Sequence, residues 1–269
     1  MSYYERFRVL HERGEAFIMP NAWDGASAAL LKRAGFEALG STSLGLALSL
    51  GRQDGRHAVS RAEAIAHAAH LASVSGLPVN GDLEDGFGAD PQECAATVRA
   101  AIDAGLAGLG IEDTTANPVR PIHEFDDAVA RVKAAARAAR GRILLTGRTD
   151  NFLNGHPDLD DTIRRLVAFA EVGADVLYAP GLPTMDAIVA VVRAVAPKPV
   201  NVLIGPADKA VPLAELSAVG VRRVSVGGAL YRVAMNALVE TAGALQAGDL
   251  ASVTGVIAGS EIAALLPQA

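Results

Sequence analysis

Ala104-Gly105-Leu106-Ala107-Gly108-Leu109-Gly110-Ile111-Glu112-Asp113 is the stretch on which the fold turns. A helix-like run precedes it, and a glycine just past a helix end supplies the left-handed residue that stops the helix. The apolar residues that follow read as a buried strand, and that strand finishes on two carboxylates. The same corner recurs as Ala34-Gly35-Phe36-Glu37-Ala38-Leu39, Val172-Gly173-Ala174-Asp175-Val176-Leu177 and Val219-Gly220-Val221-Arg222-Arg223-Val224. In each, a helix hands over to a strand.

Outward from these corners, strands are expected near 16–20, 37–42, 77–83, 107–112, 142–148, 175–179, 199–204 and 222–227. Helices are expected near 24–34, 61–75, 91–104, 125–140, 159–172, 185–195, 211–218 and 229–246, with a short helical tail near 249–265. Strict alternation argues for a parallel sheet. Eight such units in about 250 residues suit a (β/α)8 TIM barrel, with a doubly wound open sheet as the alternative. No Pro/Gly/Ser-rich linker or charge block divides the chain, so residues 1–269 read as one barrel domain with a short helical C-terminal extension.

Composition narrows the class. Of 269 residues, 51% are hydrophobic and 20% charged, which excludes a disordered chain. A net charge of −6 argues against nucleic acid as a partner, because phosphate contacts need basic surface. No apolar run reaches the roughly 18 residues of a membrane span, and the start, Met1-Ser2-Tyr3-Tyr4-Glu5, lacks the apolar core of a signal peptide. The expectation is a soluble, cytoplasmic protein with no membrane partner. The single cysteine, Cys94, excludes an internal disulfide and reads as a small buried residue rather than a nucleophile.

In a TIM barrel, chemistry sits at the C-terminal ends of the strands. Strand three carries Asp82 and Glu84, two residues apart and therefore on one face of the strand. Strand four ends in Glu112-Asp113, strand five in Arg148-Thr149-Asp150, and strand seven offers Asn201. Asp82, Glu84 and Glu112 thus gather at adjacent strand ends, whereas Asp85 and Asp113 fit helix caps or pairs with bases equally well. Clustered carboxylates repel unless a cation shares them, and an oxygen-rich set poor in histidine suits Mg²⁺ or Mn²⁺. Arg148 suits a substrate carboxylate, gripped through two hydrogen bonds.

Other chemistries fare worse. Of the lysines 32, 133, 198 and 209, only Lys209 falls near the right end of the barrel, which disfavours an imine mechanism. The six histidines show no ligand spacing, and His67 and His70 read as solvated. Gly227-Gly228 is only a weak phosphate-cradle signal.

At these residues the chain resembles the isocitrate lyase/phosphoenolpyruvate mutase superfamily. The likeness is carried by Asn21-Ala22-Trp23-Asp24, the Ser41-to-Gly55 segment, Asp82-Leu83-Glu84-Asp85-Gly86-Phe87-Gly88, Gly110-Ile111-Glu112-Asp113, Gly147-Arg148-Thr149-Asp150 and Pro199-Val200-Asn201-Val202. The resemblance implies a barrel whose last helix is swapped between subunits of a homo-oligomer, a dimer or tetramer. It implies that Asp82 binds Mg²⁺ directly, that Glu84 and Glu112 hold it mainly through waters, and that Arg148 holds the substrate carboxylate. Thr42, Ser43 and Leu44 match a turn whose backbone N–H groups bind that carboxylate, although the family usually has glycine where Ser43 stands. Glu84 departs from a more usual aspartate. Asp54 matches a catalytic aspartate, and Trp23 a wall of the site.

The chief departure follows strand four. Isocitrate and methylisocitrate lyases carry a Lys-Lys/Arg-Cys-Gly-His motif there, and the phosphonate branch a Pro-Lys-x-Asn gate. This chain has Thr114-Thr115-Ala116-Asn117-Pro118-Val119-Arg120-Pro121-Ile122-His123 instead. Arg120, His123 and Asn117 offer a different gate, with His123 as its proton donor; the plainer reading makes His123 a loop residue near a helix start. Three functions stay open. The first is a Mg²⁺-dependent lyase or decarboxylase acting on a small 2-oxo or 2-hydroxy acid through an enolate. The second is a P–C bond mutase or hydrolase acting on phosphonopyruvate, and the third a non-catalytic oxo-acid binder.

Overall fold

Short polar side chains start the helices. Ser2, Asp24, Ser60, Asp90, Asp158 and Thr184 each accept a backbone N–H of the first turn that follows, satisfying donors that a helix start leaves free. At the other ends, the four corner glycines, Gly35, Gly105, Gly173 and Gly220, all take positive φ. A computed structural model describes residues 1–55, 57–205 and 211–267. Lys209 lies outside the described residues.

The elements run α1 (Tyr3–Glu12), β1 (Phe17–Met19), α2 (Gly25–Arg33), β2 (Leu39–Gly40), α3 (Ser43–Ser49), α4 (Arg61–Ser75), β3 (Val79–Asp82), α5 (Pro91–Asp103), β4 (Gly108–Glu112) and α6 (Phe125–Ala139). They continue with β5 (Leu144–Arg148), α7 (Leu159–Glu171), β6 (Val176–Tyr178), α8 (Met185–Val195), β7 (Val200–Leu203), α9 (Leu213–Ala218), β8 (Arg223–Ser225), α10 (Ala229–Gln246) and α11 (Gly259–Ala263). All eight strands are parallel, in the order β1-β8-β7-β6-β5-β4-β3-β2. The gap between β1 and β2 is bridged at Asn21 and Gly40, with Ala22 N–H donating to Gly40 O and Gly40 N–H to Pro20 O, both at 2.9 Å. The sheet is a nearly closed TIM barrel, as the alternation requires, and the open-sheet alternative is excluded.

Two helices were not foreseen. α1 plugs the N-terminal end of the barrel with Phe7, fully buried. Gly108 makes room for it: a Cβ there would stand 2.7 Å from the Phe7 ring. α3 occupies the segment read as a turn, with Thr42 as its N-cap. The tail is less helical than expected, holding a single 3₁₀ turn at Leu250–Val253 before α11. α10 buries only Tyr231. No helix among the described residues is long and apolar enough to cross a membrane.

Candidate active site

Strand register assembles the mouth of the barrel. Parallel pairing sets Asp82 beside Gly110 and Glu112 beside Arg148, so three neighbouring strands end on charged side chains. The Arg148 guanidinium is the centre. Its Nε and NH2 grip Asp150 at 2.5 and 2.6 Å, its NH1 lies 2.9 Å from Glu112 and 3.6 Å from Asp82, and its charge sits 5.2 Å from the centre of the Tyr178 ring. Burial would discharge Arg148, but Asp150 and Glu112 outweigh it and hold its pKa well above the usual value.

The acids respond in the opposite sense. Burial raises the Glu84 pKa to about 7, and burial also pushes Glu112 well above the ordinary carboxylate range. Asp54 is raised by burial and by the Asp82 charge, against hydrogen bonds from Ser43 and Gly55. In all three the largest cause is burial, which disfavours the charged carboxylate.

These groups open onto a cavity of about 530 Å³ lined by Ser43, Asp54, His57, Glu84, Glu112, Arg148, Asp150 and Asn154. Its roof is the loop after β4, which contributes Thr114, Thr115, Ala116, Pro118 and Pro121. No cysteine or lysine lines this cavity among the described residues. Thr114 Oγ1 donates to Glu112 at 2.5 Å, and Ser43 N–H donates to Asp82 at 2.9 Å. Asp54, Ser43, Asp82, Glu84, Glu112 and Arg148 are thus brought together.

Other expected site residues lie elsewhere. His123 is outside the cavity: its Nδ1 pairs with Asp127 at 2.7 Å, and its Nε2 stands 4.0 Å from Asp85. The loop turns back through a bridge between Thr114 and Ile122, which carries His123 to the rear. Asn201 is buried inside the barrel, where its Oδ1 accepts from Arg223 and its Nδ2 donates to Ser225. Trp23 packs edge-on against Tyr231, with ring centres 5.7 Å apart, and does not line the cavity. Thr42 and Leu44 also lie off the cavity; Thr42 caps α3 and Leu44 packs toward Gly228. The Gly227 N–H is taken by Asn21 Oδ1 at 2.9 Å, which removes a donor from the phosphate cradle. His67 is half-buried, not solvated, with Nε2 bonded to Trp23 O at 2.9 Å.

Sequence reading passed over three lining residues: His57, Asp150 and Asn154. His57 had a signal, its place three residues after Asp54 on the same segment. Its Nε2 bonds Asp85 Oδ1 at 2.7 Å, and Asp85 also pairs with the buried Arg131 at 3.2 Å. Asp113, by contrast, is wholly structural, accepting from Thr149, the Asp150 N–H and Arg165.

Comparisons with known proteins address the same residues. The family model for phosphoenolpyruvate phosphomutase matches residues 7–246. A crystal structure from Burkholderia cenocepacia J2315, titled as a lyase/mutase, is 46% identical, with a TM-score of 0.93 over 97% of this chain and 94% of that one. The oxaloacetate decarboxylase of Paraburkholderia xenovorans (strain LB400) is 32% identical over 91% of this chain and 83% of its own. An uncharacterized protein of Mycobacterium tuberculosis (strain ATCC 25618 / H37Rv) is 34% identical over 90% of both chains. A match that starts in α1 and runs to the end of α10 takes in every strand and every charged residue of the mouth, and on that ground the chain belongs to the phosphoenolpyruvate phosphomutase family, as an enzyme of the isocitrate lyase/PEP mutase superfamily.

Proposed function

We propose that the chain is a Mg²⁺-dependent lyase or decarboxylase that cleaves a C–C bond in a small 2-oxo or 2-hydroxy acid and leaves the electron pair on an enolate. The observation that carries this reading is the pairing of Asp82 and Glu112 with Arg148 beside a cavity of small-molecule size that Asp54, Glu84, Glu112 and Arg148 line. The relationship to an oxaloacetate decarboxylase over nearly the whole chain supports the same chemistry.

The donor set fits Mg²⁺. All its donors are oxygens, and a divalent cation would offset the burial that raises the Glu84 and Glu112 pKa values. Mg²⁺ is commonly held by one or two carboxylates, with waters and substrate completing its shell. Asp82 would hold it directly, and Glu84 and Glu112 through water. Bound there, Mg²⁺ would polarise the substrate carboxylate and its neighbouring oxygen.

The chain's own groups do the rest. Arg148 orients the substrate carboxylate and offsets the charge that develops as the bond breaks. Ser43 N–H, at the start of α3, donates to Asp82 and fixes that carboxylate. Asp54 accepts the hydroxyl proton of a 2-hydroxy acid. The Thr114–Pro121 roof and Leu153 keep water from the enolate.

Pyruvate release, with and without Mg²⁺, from oxaloacetate, substituted malates and phosphonopyruvate tests this reading. Metal-dependent pyruvate from a C–C substrate is expected, and an Asp82→Ala variant with unchanged turnover would overturn it. The family model favours a second reading, a P–C bond enzyme acting on phosphonopyruvate. The cavity argues against it: among the described residues that line it, only Arg148 and His57 bring a basic group, and a phosphonate dianion calls for more. Phosphorus NMR at high enzyme concentration decides between the two.

We also propose that the C-terminal elements pack on a second copy. Val233, Leu238, Val239, Leu250 and Val256 are each more than half exposed along α10 and the tail. Large apolar side chains exposed together on one segment suit an interface, and light scattering after gel filtration is expected to give a dimer or tetramer.

A further inference from the structure

Three non-glycine residues among the described ones take positive φ: His57 at 54°, Glu84 at 47° and Phe87 at 58°. Side chains other than glycine avoid this region, so each must be held there by its surroundings. Two of them, His57 and Phe87, meet at one carboxylate, and Glu84 bonds the first. Asp85 Oδ1 accepts from His57 Nε2 at 2.7 Å and from Phe87 N–H at 2.9 Å. His57 N–H reaches Glu84 Oε2 at 3.3 Å, and the His57 and Phe87 rings lie 5.5 Å apart.

The other oxygen of Asp85 faces α6. Arg131, 1% exposed, donates from NH2 to Asp85 Oδ2 at 3.2 Å and to Gly88 O at 2.6 Å, which fixes the carboxylate in place. His123 closes the group. Its Nε2 is buried without a hydrogen-bond partner and stands 4.0 Å from Asp85 Oδ2, while its Nδ1 is tied to Asp127 on the same helix. One buried carboxylate therefore faces the stretch after α3 through His57 and the 114–123 loop through His123. Described residues of both line the cavity, and the first stretch carries Asp54.

We infer that Asp85 is a positioning residue that anchors both segments, holding Asp54 over the cavity through His57 and the roof loop through His123. The part of this that concerns Asp54 rests on the proton-handling role proposed above; the anchoring itself does not. The strained backbone of the group agrees with such a role, because strain persists only where neighbouring contacts over-determine a conformation.

Amide hydrogen exchange of the full chain, read by mass spectrometry, reports the anchoring without any substrate. Asp85→Asn is expected to speed exchange by about 10-fold both around Asp54 and His57 and in residues 114–123, through local opening. His57→Ala should speed it only around Asp54, and His123→Ala only in residues 114–123. Should Asp85→Asn fail to fold, the two histidine variants decide alone. Exchange at wild-type rate in both, or acceleration of both stretches in each, overturns the inference. On the substrate found by the pyruvate assay, His57→Ala is expected to lower kcat with KM little changed, and His57→Gln, which keeps a donor for Asp85, to recover part of it. Silence across the substrate panel would count against the proposed reaction and leave the exchange result standing.

Discussion

Two strands of this barrel carry an arginine, and the two live in opposite electrostatic worlds. Arg148, at the end of β5, is surrounded by Asp82, Glu112 and Asp150, and its pKa is driven up. Arg223, at the start of β8 and 1% exposed, has no carboxylate partner among the described residues. Its Nε donates to Asn201 Oδ1 at 2.9 Å, its NH2 to Thr146 Oγ1 at 3.0 Å, and its NH1 stands 3.5 Å from His11 Nε2. Burial lowers its pKa to about 10. The mouth carries surplus negative charge that a single arginine cannot neutralise, and that is where a cation and an anionic substrate are wanted. The interior holds its charge with neutral oxygens and ring faces, an arrangement that supports the barrel and offers no reactive group.

The contrast predicts a separation of effects. Arg148→Met is expected to lower kcat/KM on the order of 10³-fold or more while far-UV circular dichroism shows a folded chain, because the lost interaction belongs to the transition state. An Arg148→Met enzyme that turned over normally would erase the distinction.

Arg223→Met should do the reverse. It takes the donor away from Asn201 Oδ1 and Thr146 Oγ1, at a cost of about 1–3 kcal/mol in urea unfolding, with turnover per folded molecule retained. Loss of activity without loss of stability would mean that the interior shares in the chemistry.

His11 sharpens the interior half. Burial, with the Arg223 charge beside it, lowers its pKa to about 3, against 6.5 when unfolded. The unfolded chain therefore takes up the proton first. Stability from this group is complete above pH 6.5 and drains away as pH falls toward 3, by up to about 1.4 kcal/mol per pH unit. Urea titrations at several pH values should show that slope, and a His11→Gln variant should flatten it.

The smallest effect concerns Cys94. Burial pushes its thiol up to about 11, and its Sγ donates to Asp85 O at 3.2 Å. Its modification by a disulfide reagent in the folded protein is expected to be on the order of 100-fold slower than in urea. Rapid labelling would place reactive chemistry outside the mouth.

How much of this could be read from the residues depends on which forces set each feature. Every strand and helix corner marked by glycine stood where expected, because a left-handed C-cap and a buried apolar run are local properties. The start of α1 was legible too: Ser2-Tyr3-Tyr4-Glu5 is a capping box, with Ser2 and Glu5 exchanging hydrogen bonds. Read only for a leader, the stretch hid its helix. α3 was obscured by small apolar residues between Thr42 and Leu50 that suit a turn as well as a helix.

The sequence by itself determined the barrel and the presence of Asp82, Glu112 and Arg148 at neighbouring strand ends, because strand order places them whatever the loops do; Glu84 lies past the end of β3 in a left-handed turn, so the strand period does not place it beside Asp82. Only the tertiary structure decided which polar groups face the cavity. Asn201 turned to Arg223, His123 passed behind the roof loop, and His57 came forward on the arm of Asp85. Each of those placements is settled by competition among partners far apart in the chain. A buried donor or acceptor goes where its hydrogen bond can be made, and no local pattern records that.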